Sequence, residues 1–212
     1  MIHAIIDYDV GNIASLKMGF ERAGLKTTLT SDLEEIKKAK SLILPGVGAF
    51  KPAMESLKSR GLIDAIKTHV KAGKPLLGIC LGMQLLFEEG HEFGIHAGLG
   101  FIPGKILPIK GAKKLPHMGW NDLTVQNNHA VMEGIQSGDY VYFVHSFYAS
   151  THEDVWVATT DYGVKIPAIV QKDHVIGMQF HPEKSAQVGE RLLRNYGRWV
   201  DESFTVDGSL RP

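Results

Sequence analysis

The chain is 212 residues long, 44% hydrophobic and 22% charged, with 23 Lys plus Arg against 23 Asp plus Glu. That length suits one well-buried domain and is short for two, and the balanced charge gives no reason to invoke nucleic acid or an anionic membrane surface. Its single cysteine excludes an internal disulfide framework and any multi-cysteine zinc site.

The opening residues, Met1 to Asp7, are too few and too soon charged for a signal peptide. No apolar run approaches the length of a membrane span, so a soluble cytoplasmic protein is expected. Along the first half, short apolar runs alternate with helical periodicity. Strands are predicted at 3–7, 26–30, 41–44 and 75–79, and helices at 12–23, 51–60, 62–72 and 81–89. Strands alternating with helices of that length indicate an α/β fold, a mostly parallel central sheet flanked by helices. The second half changes character. Strand-like runs at 104–109, 140–144, 155–160, 166–171 and 174–180 have turns but no long helix between them, which predicts an antiparallel extension of the sheet. A last helix is predicted at 185–200. One domain over 1–203 and a loose C-terminal tail at 204–212 complete the expected organisation.

The cysteine, Cys80, lies in Gly78-Ile79-Cys80-Leu81-Gly82, between an apolar strand and a predicted helix. A nucleophile on a sharp strand-to-helix turn, with glycine two residues away on either side, is the elbow of α/β hydrolytic enzymes, with sulfur in place of oxygen. The turn is tight and its backbone crowded, so a Cβ at either glycine would clash. The helix that follows directs N–H groups and the positive end of its dipole at the sulfur, favouring thiolate over thiol. Taken alone, a small buried cysteine at a strand end is the ordinary fate of such a residue.

A second motif decides between the two. Gln179-Phe180-His181-Pro182-Glu183 ends another apolar strand, and in extended backbone His181 and Glu183 project from one face. Pro182 fixes its own φ and disfavours helix at His181. An imidazole takes the thiol proton, and a carboxylate on its other nitrogen sets the tautomer and stabilises the imidazolium. In an open α/β sheet, sites lie beyond the carboxyl ends of strands, and Asp7–Asn12, Pro45–Gly48, Cys80 and His181 all follow predicted strand ends. The N–H of Leu81 is one candidate oxyanion donor by elbow geometry. A second is expected from Gly46-Val47-Gly48, where missing side chains let backbone approach a substrate. The plain alternative is a glycine-rich turn leading into a helix. Lys51 stands where a dinucleotide fingerprint needs its third glycine, which argues against nucleotide binding.

Gln84 lies one helical turn after Cys80, where a carboxamide suits a small polar substrate; a solvent-facing glutamine fits the spacing equally well. His91 and His96 are five apart, do not match helix-face ligand spacing, and read as part of a solvated loop. Neither a metal nor a cofactor is expected.

Gly78-Ile79-Cys80-Leu81-Gly82-Met83-Gln84 together with His181-Pro182-Glu183 resembles the class I (triad) glutamine amidotransferases, from the first strand to about residue 200. Asp9-Val10-Gly11-Asn12-Ile13, Pro45-Gly46-Val47-Gly48, Pro116-His117-Met118-Gly119-Trp120-Asn121 and Tyr142-Phe143-Val144-His145-Ser146 are similar to the glutaminase subunits of imidazole glycerol phosphate synthases. The resemblance implies Cys80, His181 and Glu183 as the catalytic triad and an oxyanion hole at Val47, Gly48 and Leu81. It implies glutamine bound by Gln84, His145, Ser146 and Phe147; Glu92, in the loop at 91–96, is expected to border its amino group. Nothing in the chain could use the ammonia released, which makes control by a second protein a reasonable expectation. The resemblance supplies one: a (β/α)8-barrel cyclase as heterodimer partner, contacted near Asn12, Pro116, His117, Met118, Gly119, Trp120, Asn121 and Lys184. The pair would convert an N-linked phosphoribulosyl aminoimidazole-carboxamide precursor to imidazole glycerol phosphate in histidine biosynthesis. The rival readings are another triad glutaminase, such as the pyridoxal phosphate synthase subunit, a free-standing cysteine amidase, and a silent module that retains the fold.

Overall fold

The computed structural model describes residues 2–111 and 114–204. The runs of the first half become parallel strands, buried on both faces as strands covered by helices must be, except the edge strand at Thr27–Thr30, which is mostly half-buried. In chain order these are β1 (His3–Ile6), α1 (Ile13–Arg22), β2 (Thr27–Thr30), α2 (Leu33–Lys38), β3 (Ser41–Leu44), α3 (Phe50–Ser59), α4 (Leu62–Lys71), β4 (Leu76–Ile79) and the one-turn α5 (Leu81–Gln84). Alternate residues feed two cores. Ile5, Ile43 and Leu77 pack with Leu16 and Phe20 of α1 on one face, whereas Ala4, Ile6, Leu42, Leu44 and Leu76 pack with Ile36, Phe50, Leu57 and Ile66 on the other.

The second half supplies β5 (Phe87–Gly90), β6 (His96–Ala97), β7 (Ile102–Pro108), β8 (His117–Asp122), β9 (Thr124–Val125), β10 (Tyr140–His145), β11 (Phe147–Ser150), β12 (Trp156–Asp161), β13 (Lys165–Lys172), β14 (Val175–Met178) and α6 (Ala186–Glu202). The main sheet has eight strands in the order β2-β1-β3-β4-β14-β13-β12-β9. Its first five strands are mutually parallel, and β13, β12 and β9 extend it antiparallel. Helix α6 covers the same face as α1, with Leu192, Leu193, Tyr196 and Val200 in that core.

Three differences from the sequence reading bear on the site. The run at 174–180 is no part of the antiparallel extension: its strand β14 is the fifth parallel strand, hydrogen-bonded directly to β4. The runs at 104–109 and 140–144 lie outside the main sheet, β7 in a four-stranded sheet ordered β11-β7-β5-β6 and β10 in a two-stranded ribbon with β8. The helix predicted over 81–89 stops at Gln84. From there the carbonyls of Leu85, Leu86, Phe87 and Glu88 accept N–H groups of Leu99, Phe101, Gly100 and Gly98 at 2.8–3.1 Å, so the backbone is satisfied outside a helix. The unpredicted α2 is capped by Asp32, whose carboxylate accepts from Glu34 N and Glu35 N at 2.8 and 2.9 Å. Phe204, assigned from sequence to the loose tail, is instead buried in the α6 core. The rest of that tail, 205–212, lies outside the described residues.

Candidate active site

The site begins with a register. Strands β4 and β14 run parallel with Ile79 opposite Met178, so Cys80 and His181 leave the same sheet edge from adjacent strands. The Cys80 N–H donates to the Met178 carbonyl at 2.8 Å, tying the elbow to its neighbour. Cys80 takes φ 55° and ψ −112°, a conformation that L residues rarely adopt and that costs about 1–3 kcal/mol. The turn is as crowded as its glycines suggest. A Cβ on Gly82 would lie 1.9 Å from the Leu44 carbonyl oxygen, and one on Gly78 would lie 2.6 Å from the Gly82 oxygen. The Pro45–Gly48 loop packs onto the elbow as well, since a Cβ on Gly46 would meet Gly82 N at 2.7 Å.

His181 keeps extended backbone, and Pro182 then opens a single 3-10 turn, Pro182–Lys184, rather than continuing the strand. The pairing expected from extended geometry forms through that turn, with His181 Nδ1 2.9 Å from Glu183 Oε1 and both side chains buried. Burial alone would lower the His181 pKa. The nearby Cys80 sulfur and the hydrogen-bonded Glu183 carboxylate outweigh it, pushing the ring up to about 10. Helix α1 backs Glu183: a Cβ on Gly19 would lie 2.7 Å from the Glu183 Cβ, and Arg22 Nη2 donates to the Glu183 carbonyl at 2.9 Å.

A cleft of about 520 Å³ opens over Cys80. Its walls bring together Cys80 and His181, the oxyanion candidates Val47, Gly48 and Leu81, and the substrate candidates Gln84, Glu92, His145, Ser146 and Phe147. Gln84 is not solvent-facing. It is buried, and its Nε2 donates to the Phe147 carbonyl and to Gln179 Oε1, each at 3.0 Å. Glu92 Oε2 accepts from Phe50 N at 2.7 Å, holding the start of α3 at the cleft wall. His145 Nδ1 donates to the Phe147 carbonyl at 2.8 Å, and its Nε2 lies 3.0 Å from His117 Nδ1. Burial drives the His145 pKa down to about 3, so the ring is neutral and cannot serve as an acid near neutrality.

Residues assigned from sequence to a partner contact divide by strand alternation. In β8, Met118 and Trp120 are exposed, 60% and 49%, with exposed Pro116 just before the strand and at the cleft. Gly119 and Asn121 are half-buried. His117 is a correction: at 1% exposed, between the Phe143 and Tyr162 rings, it supports the segment from below and offers no surface to a partner. Asn12 and Lys184 are exposed; Asn12 caps α1 by accepting from Ser15 N at 3.3 Å, and the Lys184 ammonium sits 6.0 Å over the Tyr142 ring. Sequence reasoning missed Gln179, fully buried beside Cys80. The available signal was an amide at the end of an otherwise apolar strand, which needs internal partners.

The Glutamine amidotransferase class-I family profile matches residues 4–197. The chain belongs to the class I glutamine amidotransferases. Among its relatives within this family are proteins named imidazole glycerol phosphate synthase subunit HisH. The one from Lactococcus lactis is 51% identical over 193 residues, covering 91% of this chain and 96% of that protein. The one from Caldanaerobacter subterraneus is 47% identical over 197 residues, 92% and 97% of the two chains. A crystal structure of a glutamine amidotransferase aligns over 95% of this chain and all of its own with a TM-score of 0.76 at 21% identity, which establishes the common fold. Among the described residues of this amidotransferase, no helix is long and apolar enough to cross a membrane, and no group of three or more His, Cys, Asp or Glu is placed to hold a metal ion.

Proposed function

We propose that this chain is the glutaminase subunit of an imidazole glycerol phosphate synthase, hydrolysing glutamine at Cys80 and passing ammonia to a (β/α)8-barrel cyclase in histidine biosynthesis. The observation that carries the reading is the parallel pairing of β4 with β14, which sets the Cys80 elbow beside a histidine already bonded to Glu183. The high identity to HisH proteins over nearly the whole chain supports the pathway.

The chemistry follows from the groups in the cleft. Cys80 thiolate attacks the carboxamide carbon, and the carbonyl electrons move onto oxygen, toward backbone donors of Leu81 and the Val47–Gly48 segment. Each preorganised donor lowers such a barrier by roughly 3 kcal/mol. The tetrahedral adduct collapses as His181 protonates the departing nitrogen, releasing ammonia and leaving a thioester. Water, losing its proton to His181, then attacks the thioester and frees glutamate with the thiolate restored. Glu183 holds the ring in the tautomer that both proton transfers need. Exposed Met118 and Trp120, with Tyr142 beside Trp120, supply the Met and aromatic side chains that interface cores favour, and the Lys184 ammonium sits over the Tyr142 ring. It suits the docking of the cyclase.

The test is glutamate release from glutamine, measured for the chain alone and with a cyclase barrel subunit plus its nucleotide precursor. Strong stimulation that vanishes in Cys80→Ala is expected. High activity alone with no response to the cyclase would overturn the partner assignment.

A further inference from the structure

The buried polar groups around the nucleophile form a chain of hydrogen bonds whose direction is fixed at one end. The Phe147 carbonyl can only accept. Gln84, 3.0 Å away, must therefore present its NH2 group there, and His145 Nδ1, 2.8 Å away, must carry its proton. The same Gln84 NH2 lies 3.0 Å from the side chain of Gln179, which must answer with its oxygen. The Gln179 NH2 is then turned to the Cys80 sulfur, 4.0 Å away, at the long end of contacts to that large atom. Gln179 has no exposure at all, so its amide cannot exchange these partners for bulk water.

Two consequences follow from this order. Both N–H bonds of Gln84 are committed inward, so the only group it has left for the cleft is its oxygen, an acceptor. An atom of the bound molecule that meets Gln84 must then be a hydrogen-bond donor, as an ammonium or a carboxamide NH2 is and a carboxylate is not. At the other end, an N–H directed at sulfur supports negative charge there at no cost in reorganisation. We propose that Gln179 is a positioning residue of this site, fixing Gln84 with its oxygen toward the substrate and supporting the Cys80 thiolate with its own NH2 group. The neutral His145 ring adds a second donor on the Phe147 carbonyl and keeps that anchor from turning. The inference deepens the glutaminase reading and rests on it.

Two variants separate the two roles. Gln179→Met nearly preserves volume and removes every hydrogen bond. Gln179→Glu keeps an acceptor for Gln84 and replaces the donor at sulfur with a carboxylate. The readouts are the rate of Cys80 alkylation by iodoacetamide at pH 7 and the glutamine concentration that protects against it, both on the full chain, with thermal melting to verify the fold. Gln179→Met is expected to raise the protecting glutamine concentration about tenfold and to slow alkylation several-fold. Gln179→Glu is expected to hold protection within about twofold of wild type while slowing alkylation further. A residue that merely fills space would not produce that split. Equal loss of protection in the two variants, or wild-type alkylation rates in both, would overturn the proposal. If Gln179→Met does not fold, Gln179→Glu decides alone: retained protection with slowed alkylation supports the proposal, and any other pairing overturns it. Alkylation needs no turnover. A wild-type chain that glutamine fails to protect would refute the glutaminase reading, whereas a protected wild type with unresponsive variants would refute this inference only.

Discussion

At the residue scale, His181 joins stability to chemistry through one proton. Burial disfavours its charged form, but the Cys80 sulfur and the Glu183 carboxylate act on it from within the same site, and the ring rises to about 10. A folded-state pKa above the unfolded 6.5 means that the stabilising contribution is complete below pH 6.5 and is lost as pH rises through about 10. In the mechanism proposed here the same proton is the one delivered to departing ammonia. Glutamate production with the cyclase present is therefore expected to fall on the alkaline side with a midpoint near pH 10, and His181→Gln to lower the rate by roughly a thousandfold. A profile falling already near pH 7 would show that the ring is not held protonated by its two neighbours, and one flat to pH 11 would show that its proton is not the one the rate depends on.

At the scale of elements, the elbow between β4 and α5 stores strain that the surrounding backbone maintains. Cys80 keeps φ 55° and ψ −112° because its N–H is held by Met178 and because Gly78, Gly82 and Gly46 leave no room to relax. In most strands and helices alanine is more stable than glycine. Here the order is expected to reverse, with Cys80→Gly more resistant to urea than Cys80→Ala by about 1 kcal/mol, since only glycine adopts this conformation freely. Equal midpoints for the two would mean that the turn is not strained. The elbow was legible in sequence because paired glycines around a lone cysteine have a steric meaning by themselves. The length of α5 was not, because Leu81 to Leu86 has helical composition and what ends the helix is a set of hydrogen bonds from residues 98–102. The His181–Glu183 contact could be read from its spacing, whereas the role of Gln179 depends on Phe147, thirty-two positions earlier in the chain, and on Gln84.

At the scale of the whole molecule, what local pattern could not supply is which strands lie side by side. Strand β14 reads from sequence as another run in the antiparallel half, and only its burial on both faces against β4 makes it a core parallel strand. That placement moves His181 from the extension to the side of Cys80. The same thorough burial leaves several histidines without room for charge. His3 and His69 are each lowered to about 4, by burial first and then by the nearby Lys40 and Lys74, and His145 is lowered to about 3, chiefly by burial. Each stays neutral in the folded chain at pH values where the unfolded chain binds a proton. Their stabilising contribution is thus complete above pH 6.5 and is lost as pH falls toward 4 and 3, while His181 acts in the opposite sense above 6.5. Urea unfolding is expected to show greatest stability near pH 6.5–7, with the midpoint falling toward pH 5 as these three rings take up about three protons on unfolding. His69→Gln retains a donor for the Pro75 carbonyl, which His69 Nε2 contacts at 3.2 Å, and removes one titrating group. It is expected to reduce the proton uptake at pH 5 by about one. A midpoint that does not change between pH 7 and pH 5 would mean that these rings reach water in the folded chain, and the packing described around them would then be wrong.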